Sequence, residues 1–146
     1  MTMALRPLTQ RVTRGDTVSV HHRYDAADIA DFAHRAGDHN PVHHDAGAGS
    51  RSRFGKRIAA AEHTISLLLG LAASWLAERG TAIGLGCSFR FTAAVREGDT
   101  LELVWRVTDT YYKESLGGMI VCFEGTATNQ DGLVAMRGSL EMLLQE

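Results

Sequence analysis

The segment Glu62–Arg79 carries Ile65, Leu67, Leu68, Leu69, Leu71, Ala72, Trp75 and Leu76 around nearly its whole circumference. A helix that is apolar on every side cannot rest on a protein surface and has to be wrapped by other structure. Its longest nearly unbroken apolar run, Leu67 to Ala77, is too short for a bilayer, which takes ~20 residues. The wrapping material comes next in the chain. Ile83–Phe91, Leu101–Thr110, Met119–Thr128 and Val134–Leu144 all read with a period of two. Leu101, Leu103, Trp105 and Val107 share one face of their run, as do Val134, Met136, Leu140 and Met142. Gly98-Asp99, Gly117-Gly118 and Asp131-Gly132 supply the turns between runs. Gly80 closes the helix. The pattern predicts an α+β fold, an antiparallel sheet around one long central helix, and 146 residues make that most simply one domain, 1–146.

Upstream, Thr17–His22 alternates as a short strand, and Asp25 with Asp28 forms an acidic version of a capping box. Ile29, Phe32, Ala33 and Ala36 then follow at helical spacing until Gly37 ends the helix. That helix delivers Asp38 just past its C-terminal end. Ala46 to Ser52 reads as a short helical turn. Between them lies Gly37-Asp38-His39-Asn40-Pro41-Val42-His43. Pro41 removes a backbone donor and pushes Asn40 toward extended geometry, so Asp38 and His43 are expected on a loop, not on one helix face. An acid and an imidazole fixed together suit proton transfer at neutral pH, the imidazole titrating near it and the carboxylate orienting it or holding a water. The competing reading is an Asx-type turn, in which Asp38 and Asn40 cap backbone groups and His43 is a surface residue.

The order Phe32-Ala33, Gly37-Asp38-x-Asn40-Pro41-x-His43, Asp45, Phe54-Gly55, Ile58-Ala59 resembles the MaoC-like dehydratases, which include the (R)-specific enoyl-CoA hydratases. Ser88-Phe89-Arg90-Phe91 and Val95-Arg96-Glu97-Gly98-Asp99-Thr100-Leu101 are similar to a later strand-turn-strand segment of that family. The resemblance runs from about Thr17 to the C-terminus and implies a hot-dog fold. It also implies reversible addition of water to a trans-2-enoyl thioester of CoA or a carrier protein, in a homodimer and without a cofactor. Asp38 and His43 would be the catalytic pair, with Asn40 and Ala61 at the substrate. Ala61 stands where the family has the Gly of a His-Gly pair, whose N–H meets the thioester oxygen. The helix start offers no Ser, Thr, Asp or Asn cap, so its first N–H groups are free to do the same here.

The chain also departs from the family. Ala60-Ala61 replaces His-Gly, Glu62-His63 replaces two apolar residues, and Leu69 stands where the family often carries a Ser. Glu62 and His63 would add two titratable groups at the mouth of the site. Either they face water, or they meet a short or polar acyl group, since an unpaired ion in a dry tunnel costs several kcal/mol. Two further classes therefore stay open: a hot-dog thioesterase using Glu62, and a non-catalytic acyl-thioester binding module.

Other features are weaker. His39-x-x-x-His43 has metal-pair spacing, with His44 and Asp45 nearby, but Pro41 argues against the helix such a pair needs, so no metal is expected. Gly55-Lys56 lacks the rest of a phosphate loop. Arg51, Arg53, Lys56 and Arg57 form a basic run that is either a solvated loop or a contact for CoA or phosphopantetheine phosphates. A net charge of −2 argues against nucleic acid and anionic membrane as partners. Arg6 and Arg11 are not followed by the apolar stretch of a secretory signal. Cys87 and Cys122 read as buried thiols on strands in a reducing compartment, and the cytoplasm is the expected location.

Overall fold

The computed structural model describes Arg6–Glu146. One antiparallel sheet is built from β1 (Thr17–Arg23), β2 (Thr81–Phe91), β3 (Thr100–Lys113), β4 (Gly118–Thr128) and β5 (Val134–Gln145), in the order β1-β3-β4-β5-β2. Four helices, α1 (Ala26–Ala36), α2 (Pro41–His44), α3 (Ala46–Arg51) and α4 (Ala61–Ala77), lie between β1 and β2 in the chain. The sheet curls around α4, and the fold is the hot-dog fold.

The seam between helix and sheet follows from side-chain periodicity. Leu68, Ala72 and Leu76 recur at helical spacing on α4 and are fully buried against the inner face of β3, where Leu101, Leu103, Trp105 and Val107 alternate. Each such leucine contributes ~1.5–3 kcal/mol. The Trp105 indole N–H donates to the Leu68 carbonyl at 2.6 Å, which keeps the largest core side chain paired and pins the helix axially. Gly125 sits opposite Trp105 on β4, and any Cβ there would run into the indole ring.

Enclosure of α4 is one-sided. Ser66, Gly70 and Ser74 are exposed, and Leu67 and Leu71 are half-buried, although the helix composition predicts wrapping all round. The cysteine reading is corrected too. Both lie on strands, but Cys87 is exposed and Cys122 only half-buried, and neither is disulfide-bonded. The reason for Cys87 is its place on β2, an edge strand whose only strand neighbour among the described residues is β5. No helix among the described residues is long and apolar enough to cross a membrane.

At the other end, α1 is set by its caps. The Asp25 side chain accepts from the Asp28 N–H, and Gly37 takes φ 72° at the C-terminus, a left-handed turn that glycine adopts without strain. This turn throws the chain out of α1 at Asp38.

Candidate active site

Pro41 begins a helical turn where it was expected to forbid one. At the first position of α2 its missing N–H has no intrahelical partner to lose, and Asn40 caps the turn by accepting from the Val42 N–H. His43 therefore sits on a short helix rather than a loop, and it is buried. Its Nδ1 lies 2.7 Å from the Ile58 carbonyl, which fixes that nitrogen as the N–H donor. Nε2 is then left facing Asp38 Oδ2 at 3.3 Å.

Asp38 divides its two oxygens between structure and chemistry. Oδ1 accepts the Asn40 N–H at 3.0 Å, which is the Asx turn of the competing reading. Oδ2 is the one beside His43. His44 Nε2 lies 2.6 Å from the Asp38 backbone carbonyl and braces the residue from behind. The Asn40 N–H bond first, then the neighbouring Glu62 carboxyl, then the charges of His43 and His44 hold the Asp38 carboxyl below its ordinary value.

An ionised carboxylate and a neutral imidazole protonated on Nδ1 offer two acceptors to the space between them. Neither can satisfy the other. A water donating one O–H to each would satisfy both, with its own lone pairs turned outward.

His43 opens onto a cavity of about 310 Å³ whose walls include Arg53, Phe54, Ala61, Thr64, Phe91 and Met136. Ala61 is the first residue of α4, whose cap Ala60 makes no side-chain hydrogen bond. No non-glycine residue among those described has a positive φ, so Ala61 opens α4 without backbone strain. Thr64, which sequence reasoning passed over, lies three residues further on the same face. Its Oγ1 is 2.7 Å from the Tyr24 hydroxyl, and burial pushes that phenol well above its ordinary range. The available signal was a threonine three residues after Ala61, at the start of the buried helix.

The remaining candidates separate. Glu62 reaches Asp38. His63 points away from the cavity, is 3% exposed, and stacks flat on Phe32 with ring centroids 4.4 Å apart. Of the basic run, Arg53 lines the cavity, whereas Arg57 turns inward and donates to the Ala26 carbonyl.

Residues 6–129 match the family model described as MaoC like domain. The chain belongs to this family. A curated MaoC-like relative, a 3-hydroxybutyryl-CoA dehydratase from Methylorubrum extorquens, is 32% identical over 84 residues, 58% of this chain and 53% of the relative. The chain thus spans about half the length of that relative. Among solved structures, the unliganded R-hydratase PhaJ1 from Pseudomonas aeruginosa superposes with a TM-score of 0.83 at 29% identity, over 92% of this chain and 83% of that one. The (R)-hydratase from A. caviae involved in PHA biosynthesis gives 0.83 at 27% identity, over 92% and 98%.

Proposed function

We infer that this MaoC-like protein catalyses the reversible addition of water to a trans-2-enoyl thioester, giving a 3-hydroxyacyl thioester. The observation that carries this reading is the Asp38 Oδ2–His43 Nε2 pair, 3.3 Å apart at the rim of an acyl-sized cavity. One water held between them loses a proton to one of the two as its hydroxyl attacks C3. The electron pair of the C2–C3 double bond moves toward the thioester oxygen. The Ala61 N–H, at the positive end of α4, is the donor placed to meet that charge. Return of the same proton to C2 completes a syn addition and restores the pair, so protons balance without a cofactor. Asn40 holds Asp38 in place through its N–H. Arg53, at the cavity mouth, is the residue of the basic run available to a CoA or carrier phosphate.

The working unit we propose is a homodimer. The edge strand β2 leaves Ile83, Leu85 and Phe91 at 45%, 46% and 59% exposure, and Phe91 also walls the cavity. A second copy joined along β2 would cover these side chains and the half-bare flank of α4. Sedimentation at micromolar concentration showing only a fully active 15.9 kDa species would contradict it.

Incubation with crotonyl-CoA, following loss of the enoyl absorbance without release of free thiol, is the deciding assay. Thiol release instead would make the protein a thioesterase. Neither signal across short and long enoyl-CoA substrates would reduce it to a binding module.

A further inference from the structure

A second group of histidines and a carboxylate lies behind the cavity, on residues the hydration reaction does not use. His22 from β1, Asp28 from the first turn of α1 and His63 from the first turn of α4 converge on one point. His22 Nε2 is 2.7 Å and His63 Nε2 3.5 Å from the same oxygen, Asp28 Oδ2, and all three atoms lie within 4.8 Å of one another. The rings are held rigidly. His63 is clamped flat on Phe32 and edge-on to Tyr24, with centroids 4.9 Å apart, and His22 meets Tyr24 edge-on at 4.8 Å.

We propose that His22 Nε2, Asp28 Oδ2 and His63 Nε2 form a three-ligand site for a borderline divalent cation of the Zn²⁺ type. Tetrahedral zinc with bonds of ~2.0–2.2 Å spaces its ligand atoms ~3.3 Å apart, and the 2.7 and 3.5 Å separations from Asp28 Oδ2 bracket that value. Two imidazoles with one carboxylate suit zinc; calcium and magnesium take oxygen donors. A fourth position is accessible. Asp28 and His63 both face an open cavity, so a water can complete the shell. His63 Nδ1 is buried with no partner, and a ligating imidazole left unbraced in this way binds metal ~10–100-fold more weakly than a braced one. The ion would tie β1, α1 and the start of α4 together, the elements that carry Asp38 and Ala61 beyond it. It is a structural brace and does not touch the reacting water.

The test uses the full chain, stripped with a chelator and dialysed. Titration with Zn²⁺ by calorimetry is expected to give one ion per chain, and Zn²⁺ at ~100 times Kd should raise Tm by about 5–10 °C. Co²⁺ should develop the visible absorption of a low-symmetry four-coordinate site. His22→Gln and Asp28→Asn are expected to weaken binding at least tenfold. His22 is part-exposed, so His22→Gln keeps the test open if His63→Gln fails to fold. Absence of Zn²⁺ binding by the stripped chain would overturn the proposal. So would full binding by His22→Gln and Asp28→Asn together with its loss in His44→Gln, which would move the ion to the His39, His43 and His44 group.

Discussion

Helix α1 has an aspartate–histidine arrangement at each end, and the two are built to opposite ends. At the C-terminal end, Asp38 and His43 face each other at 3.3 Å, with side chains 26% and 7% exposed, and His43 lines a cavity. At the N-terminal end, Asp28 contacts His22 directly at 2.7 Å, and His63 is stacked flat on Phe32. The same residue types therefore serve as a reactive pair or as a clasp, and the difference lies in what saturates them. Asp38 gives one oxygen to a backbone N–H and turns the other toward a single ring, His43, whereas Asp28 offers one oxygen to two rings at once. Unsatisfied acceptors facing a cavity invite a reactant. Shared ones hold a fold together.

The largest expected effect separates the two ends by activity. Asp38→Asn and His43→Ala should each lower hydration by ~10²–10⁴-fold while the protein stays folded. Because the pair acts as a unit, the double variant should be little worse than either single one. Steady-state rates with crotonyl-CoA and a circular-dichroism melt check both halves. A single variant within a few-fold of wild type would end the assignment of the pair.

Stability should separate them the other way. His63→Ala removes a fully packed ring from between Phe32 and Tyr24 and is expected to cost about 2–4 kcal/mol. For a chain of this size that lowers Tm by roughly 5–15 °C. An unchanged Tm would mean that the clasp is not formed in solution.

These two arrangements were legible to different degrees. The sequence motif places Asp38 and His43 close because only the short stretch of Asn40 and Pro41 has to be understood. Even so, Pro41 misleads there, since a residue that breaks a helix from within also starts one. His22, Asp28 and His63 come from three elements far apart in the chain, and no local spacing signals their meeting. The same limit applied to Glu62-His63, expected to act together. Neighbours on a helix point about 100° apart, which turns Glu62 toward Asp38 and His63 toward Phe32 and Asp28. Fold was easier to read. Asp25, Gly37, the apolar helix and the period-two runs are local signals, and all of them agree with the sheet and helix observed. The half-bare flank of α4 was not readable, because composition reports how much apolar surface exists and not which chain covers it.

Between the two ends, Thr64 and Tyr24 offer a finer test. Thr64→Val leaves the buried Tyr24 hydroxyl without its partner and should cost about 1–3 kcal/mol. Tyr24→Phe with Thr64→Val removes both groups and should recover most of that loss. Chemical denaturation of these two variants and of Tyr24→Phe alone gives the coupling. If the losses simply add, the 2.7 Å contact contributes nothing and Thr64 is free to face the cavity with its hydroxyl.

The smallest effect is on the titration of Asp38 itself. Its folded pKa lies below the ordinary 3.8, so the unfolded chain binds the proton more tightly. The stability this contributes is complete above 3.8 and is lost as pH falls through the folded value. Asp38 therefore stays ionised, and able to hold the water, across the neutral and mildly acidic range. Glu62→Leu removes the neighbouring carboxyl while keeping the bond from the Asn40 N–H, so Asp38 should titrate higher than in wild type but not fully normally. Glu62→Gln puts an amide donor at the same place and should leave the midpoint nearer the wild-type one. Carboxyl carbon chemical shifts followed against pH read the midpoint directly, independent of turnover. An Asp38 midpoint identical in wild type and Glu62→Leu would detach Glu62 from the pair, leaving its carboxylate to act only on the N-terminal dipole of α4.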